Sequence, residues 1–99
     1  MKFTLGFTST AKEQLKNLKD DLGLKKQKKA VVKTLELLEQ NPRHPSLQTH
    51  PYYSLNGPDG EKVFEAYAEQ HTPAAYRVFF YCSSTAKGKI VILTITSHP

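Results

Sequence analysis

Lys2 to Phe7 alternates. Phe3, Leu5 and Phe7 fall on one side and Lys2, Thr4 and Gly6 on the other, the period of a half-buried strand. After Thr8-Ser9-Thr10 the period changes. Ala11, Leu15, Leu18 and Leu22 recur at spacings of 4, 3 and 4, which is the apolar stripe of an amphipathic helix. Thr10 with Glu13 reads as a capping box that opens this helix, and Gly23 as the left-handed residue that closes it. A second helix is predicted from about Leu24 to Gln40, with Ala30, Val31, Leu35 and Leu38 on its buried face and Leu37 widening that face. Asn41-Pro42 ends it, because proline disfavours the helical conformation at the residue before it. The short join between the helices predicts an antiparallel helical hairpin.

Residues 41–60 read as loop, with Asn41-Pro42-Arg43-His44-Pro45, His50-Pro51 and Asn56-Gly57-Pro58-Asp59-Gly60 as turn chemistry. Three strands follow, at Lys62 to Ala68, Ala75 to Cys82 and Lys89 to Thr96, the first two joined by a turn through His71-Thr72-Pro73. In the second of them Tyr76, Val78, Phe80 and Cys82 face one way, and Ala75, Arg77, Phe79 and Tyr81 the other. The last strand is almost wholly apolar or β-branched, as a strand with neighbours on both sides should be. The chain predicts one α+β domain over residues 1–99: an N-terminal strand, a two-helix antiparallel hairpin and a three-strand antiparallel meander. Together these form one twisted, largely antiparallel sheet with the helices on one face.

The 99 residues leave room for a single modest core, and one cysteine cannot form an internal disulfide. The longest apolar run, Ile90 to Leu93, is too short for a membrane span or a signal peptide, so a bacterial-type cytoplasm is the expected location and no membrane is an expected partner. The net charge of +5 points to a polyanionic partner. Residues 1–41 carry nine lysines against five acids, a net +4, so the positive field leans on the N-terminal half.

His44, His50, His71 and His98 show no metal-ligand spacing, and neither C-x-x-C nor H-E-x-x-H occurs. No metal or cofactor is expected. No glycine-rich phosphate loop is present, and Cys82 reads as a core thiol. Three features can carry chemistry. The run Lys25-Lys26-Gln27-Lys28-Lys29 opens the second helix, either as a solvated helix end or as a phosphate-contacting patch. Arg77, within Tyr76-Arg77-Val78-Phe79-Phe80-Tyr81, is either a phosphate clamp or half of a structural ion pair with Glu65 on the neighbouring strand. His98 is either a frayed terminal residue or a general acid or base beside Arg77.

The strand–helix–helix–three-strand order, the Tyr76–Tyr81 strand, the late Ile90–Thr96 strand, the Asn41-Pro42 stop and Leu47…Leu55-Asn56-Gly57 together resemble the RelE/ParE toxins of bacterial type II toxin–antitoxin systems. The resemblance covers nearly the whole chain. It implies ribosome-dependent cleavage of mRNA in the ribosomal A site without a metal, the RNA's own 2′-hydroxyl attacking the adjacent phosphate. By motif position Arg77 falls on the phosphate-binding arginine of the YoeB-like branch, and His98 on its C-terminal histidine. These roles imply that Arg77 stabilises the pentavalent phosphate and His98 protonates the leaving 5′-oxygen. The branch's glutamate base is missing here, where the stretch reads His44-Pro45-Ser46-Leu47, and His50, His44 and Glu65 are the replacements in that order. Pro99 stands where the branch ends in an aromatic residue. Lys25, Lys26, Lys28 and Lys29, with Lys62, Arg43 and Tyr81, make up the candidate RNA-binding set. The resemblance also implies an antitoxin that covers the basic surface with an acidic, partly disordered segment. Two other readings share the fold: a ParE-like poison of DNA gyrase that cuts no RNA, and a toxin homologue whose activity has decayed.

Overall fold

The computed structural model describes residues 2–69 and 75–97. The chain runs β1 (Thr4–Phe7), α1 (Ser9–Asp20), a 3-10 turn (Leu22–Leu24), α2 (Lys25–Gln40), a second 3-10 turn (Pro45–Leu47), β2 (His50–Asn56), β3 (Lys62–Tyr67), β4 (Tyr76–Cys82) and β5 (Lys89–Ser97). The strands form one five-stranded sheet in the order β1-β5-β4-β3-β2. The β2–β3, β3–β4 and β4–β5 pairs are antiparallel, whereas β1 lies parallel to β5. A parallel neighbour needs a long crossover connection, and the two helices are part of that connection.

The expected α+β layout is present, with one strand more than the periodicity suggested. His50–Asn56 is not loop but the edge strand β2. Pro51 hid it, since proline within an apolar run argues against a strand. At a sheet edge, however, its missing N–H costs no ladder bond. Pro51 faces Phe64, and the register then shifts before Asn56 meets Lys62.

The start of α1 also differs. Thr8, not Thr10, is the cap, its hydroxyl oxygen accepting from the Ala11 N–H at 3.1 Å. Thr8 wins because its hydroxyl also donates to the Leu93 carbonyl at 2.7 Å, a contact 85 residues away that no local pattern reveals. The apolar stripe ends one turn early. Asp21 breaks the helix and accepts from the Gly23 N–H at 2.9 Å, so Leu22 is left 79% exposed and Gly23 lies in a 3-10 turn with no positive φ.

Helix stripe and sheet meet in the main core. Ala11, Leu18, Val31, Leu35 and Leu38 pack on Ala66, Val78, Phe80, Ile90, Ile92 and Ile95, with Leu47 beside them. Each large aliphatic side chain taken fully from water here contributes about 1.5–3 kcal/mol. A bulge in β5 sorts its residues between the two faces. Phe79 faces Thr94 while Phe80 faces Ile92, so Leu93 is the extra residue. Ile90, Ile92 and Ile95 all reach the helix side, and Thr94 and Thr96 come opposite Phe79 and Arg77 on the other. The Thr8 hydroxyl satisfies the carbonyl of that extra residue. The helix-free face carries a smaller cluster of Val63, Phe79 and Tyr81, with Tyr52, Val91 and Leu93 against it.

Candidate functional site

Strand register builds the site on the helix-free face. His50 of β2 lies opposite Glu65 of β3, Tyr67 of β3 lies opposite Arg77 of β4, and Arg77 lies opposite Thr96 of β5. Glu65 and Tyr67 are two residues apart on one strand, so both side chains share a face with Arg77, and Glu65 is its diagonal neighbour. The result is a compact group of four.

Glu65 is its centre. Its side chain is only 2% exposed, and each oxygen has a partner. Oε1 lies 2.6 Å from His50 Nε2, and Oε2 accepts a hydrogen bond from Arg77 Nη1. A buried carboxylate without partners would be strongly disfavoured, so Glu65 depends on the Arg77 guanidinium and the His50 ring. The Tyr67 ring tightens the group: the Arg77 guanidinium carbon lies 4.8 Å from its centroid, and the His50 ring meets it edge-on at 5.4 Å. His50 is half-exposed, and its Nδ1 lies 3.2 Å from the Gln48 carbonyl. Both ring nitrogens therefore face acceptors.

Beside this group runs a groove of about 320 Å³ lined by Tyr52, Leu55, Glu65, Arg77, Phe79, Thr94, Thr96 and Ser97. Tyr52 and Phe79 meet edge to face, 4.8 Å between centroids. The groove thus offers aromatic surface and a guanidinium, while the Thr94 hydroxyl is already bonded to the Gln14 amide of α1. Arg77 engages Glu65 through one nitrogen, and its planar fork keeps further N–H donors for an anion. Of the two sequence readings of Arg77, the structure contains the ion pair with Glu65; the residue also lines an open groove.

The other candidates lie elsewhere. Ser97 lines the groove, but His98, the next residue in the chain, lies outside the described residues, as does His71. His44 serves the backbone, its Nδ1 accepting from the Ser46 N–H at 3.1 Å. Lys25, Lys28 and Lys29 line a separate surface with Val32, Lys33 and Glu36 on α2, and Lys26 is an exposed residue of the same helix. The structure does not bring this lysine run to Arg77, because α2 covers the opposite face of the sheet. Lys62 is exposed at the start of β3, and Arg43 is exposed in the loop after α2.

Tyr81 is packed into the smaller cluster and only 7% exposed, with burial and the nearby Glu61 and Asp59 charges raising its phenol above the usual range. Cys82, expected in the core, is exposed at the end of β4. Partial burial raises its thiol above the usual value, and the Arg43 charge only partly offsets this, which makes it a poor nucleophile. Among the described residues no three His, Cys, Asp or Glu side chains gather as metal ligands would, and no helix is long and apolar enough to cross a membrane.

Tyr67 was not singled out by the sequence. Its signal was present, since it alternates with Glu65 on a strand next to Arg77.

No family model and no curated protein matches the chain by sequence. Its shape does match solved structures. A YoeB/ParE toxin from Agrobacterium tumefaciens superposes with a TM-score of 0.70 at 10% identity, covering 97% of this chain and 99% of that one. The chain has the RelE/ParE toxin fold. The YoeB–YefM toxin–antitoxin heterotetramer from Staphylococcus aureus matches at 0.66 and 14% identity over the whole of both chains. The RelBE2 toxin–antitoxin complex from Mycobacterium tuberculosis matches at 0.52 and 19% identity, covering 99% of this chain and 100% of that one. On the RelE/ParE fold of this chain, the Glu65 group and its groove occupy the sheet face that the helices leave open.

Proposed function

We propose that this chain is the toxin of a type II toxin–antitoxin pair and that it cuts mRNA in the ribosomal A site. One observation carries the reading: on a RelE/ParE fold, a guanidinium and an imidazole are gathered on one buried carboxylate at the edge of an open, partly aromatic groove. An arginine fork suits the in-plane oxygens of a phosphodiester, and it stabilises the charge that builds up as the phosphorus becomes five-coordinate. His50 takes the proton of the RNA 2′-hydroxyl. The bond from the 2′-oxygen to phosphorus forms as the bond to the 5′-oxygen breaks, and His98 gives the leaving oxygen its proton. The products are a 2′,3′-cyclic phosphate and a free 5′-hydroxyl. Tyr52, half-buried and seated edge-to-face on the buried Phe79, offers ring surface to an unstacked base. The toxin–antitoxin complexes among the similar structures support an antitoxin partner for this chain, and the surplus of positive charge suits an acidic one.

The test is induction of the wild type, Arg77→Lys and His98→Ala under a tight promoter, with primer extension across a translated mRNA. Codon-phased cuts from the wild type, reduced by about two to four orders of magnitude in Arg77→Lys, are expected. Arg77→Lys is the informative variant because it keeps a cation beside Glu65. Growth arrest with intact mRNA and a DNA-damage response would instead make the chain a gyrase poison, and absence of both effects a decayed homologue.

A further inference from the structure

A general base must present a free lone pair to the proton it removes. Glu65 does not: it is 2% exposed, one oxygen is held by His50 and the other by Arg77. Its position suits another task. His50 stands on the edge strand β2, half-exposed, with a ring that would otherwise turn freely about its side-chain bonds. Among the described residues, the groups that face that ring are Glu65 and Tyr67 from β3 and Gln48 from its own segment, with Arg77 of β4 one step behind the carboxylate. Of these contacts only the one to Glu65 is both charged and short, at 2.6 Å. The carbonyl contact at Nδ1 is longer, at 3.2 Å, and exposed.

We infer that Glu65 is a positioning residue that acts through two others. It holds the Nε2–H of His50, so that Nδ1 is the nitrogen that exchanges a proton with the RNA. It also holds one arm of Arg77, so that the rest of the fork is set at the groove. In the protonated ring Nδ1–H donates to the Gln48 carbonyl. In the neutral ring the hydrogen stays on Nε2 and the lone pair is on Nδ1, where the long, exposed contact to the Gln48 carbonyl gives way to the RNA 2′-hydroxyl; an orienting carboxylate imposes this arrangement on a catalytic imidazole. One carboxylate thereby ties the base to the phosphate clamp. This rests on the nuclease reading above.

The experiment uses the full chain. Its first arm is NMR of the histidine-labelled protein, which needs no activity. A downfield, exchange-protected ring hydrogen on His50 Nε2 is expected in the wild type and is lost in Glu65→Gln. Its second arm is single-turnover cleavage of a short mRNA on ribosomes with an open A site, for the wild type, Glu65→Gln, His50→Ala and the double variant. Glu65→Gln should lower the maximal rate about 10–100-fold with half-saturation within about twofold, and should cost far less once His50 is already replaced.

Glu65→Asp, which keeps the charge, should recover part of the rate. It also stands in if Glu65→Gln does not fold. Independent, additive losses overturn the inference, as does a wild-type His50 with no protected Nε2 hydrogen. Intact mRNA with the wild type overturns the nuclease reading itself, and is told apart because the NMR arm still reads the ring.

Discussion

The two faces of the sheet are built by opposite rules. The covered face is a continuous apolar contact between helix stripes and the inward residues of β3, β4 and β5. The open face has a short apolar patch of Val63, Phe79 and Tyr81 at one end and a charged, hydrogen-bonded group at the other. On the first face many similar contacts share the stabilisation, and none is specific about geometry. On the second, a few groups are mutually dependent, since Glu65 is buried only because His50 and Arg77 meet it. The first face holds the chain together. The second holds three side chains in a fixed relation beside a groove, which a reaction needs and stability alone does not.

Substitutions on the two faces should therefore fail differently. Leu38→Ala, at a fully buried position of the covered face, is expected to lower unfolding free energy by about 2–5 kcal/mol through lost burial and a cavity. Denaturant unfolding checks it, and a loss well under 1 kcal/mol would show that the main core is loosely packed. Arg77→Ala should cost roughly 3 kcal/mol, toward the lower end of the range for breaking a buried pair because the arginine is one-fifth exposed. The double variant Arg77→Met, Glu65→Leu sharpens the contrast. It removes both charges together, so stability should return to within about 1–2 kcal/mol of the wild type while the proposed cleavage is lost. Recovery of cleavage with stability would make the pair a packing device only.

Thr8→Ala tests the join between the faces. It removes the α1 cap and the hydrogen bond to the Leu93 carbonyl at the bulge, and should cost about 1–2 kcal/mol. Thr10→Ala, on the exposed first turn, should stay within about 0.5 kcal/mol. Thermal melts of the two would expose a wrongly placed cap if the order were reversed.

The smallest effect belongs to Glu61, in the turn between β2 and β3. Burial pushes its carboxyl up. Hydrogen bonds from its own backbone N–H, from the Ser84 hydroxyl and from the Asp59 and Ser84 N–H groups outweigh that and hold it below the ordinary value of 4.5. A lowered folded value means that the stabilisation is present above that ordinary value and is lost as pH falls through the folded one. Glu61→Gln should flatten the acid side of the stability curve by lowering stability slightly at neutral pH while leaving the acid end nearly unchanged. An unaltered acid limb would show that the turn is not held by this carboxylate.

The covered face was legible because its signal is local. Spacings of three and four identify a helix stripe, spacings of two a strand side, and a single long aliphatic run a flanked strand. Leu18, Val31, Leu35, Leu38, Val78 and Phe80 all lie where those periods put them. Leu22 escaped the stripe because an aspartate could end the helix a turn earlier, a competition between two good local solutions that spacing does not resolve. The edge strand β2 was hidden by Pro51, whose cost depends on whether a neighbour exists on that side.

The candidate site was half legible. Arg77 and its Glu65 alternative could be named, because both alternate with apolar residues on strands expected to be neighbours. Their joining with His50 and Tyr67 could not, since it depends on the register of β2, a strand the pattern did not show.

Local chemistry alone settled the helices, four of the five strands, the main core and the identity of Arg77 as a residue with two opposed readings. The tertiary structure alone decided that β1 lies parallel beside β5, that Leu93 bulges to bring Thr94 and Thr96 to the groove, and that Glu65 unites His50 with Arg77. Periodicity along a chain reports which side of an element faces the core. Which residues meet across strands is set by register, and register is a property of pairs of segments far apart in the chain.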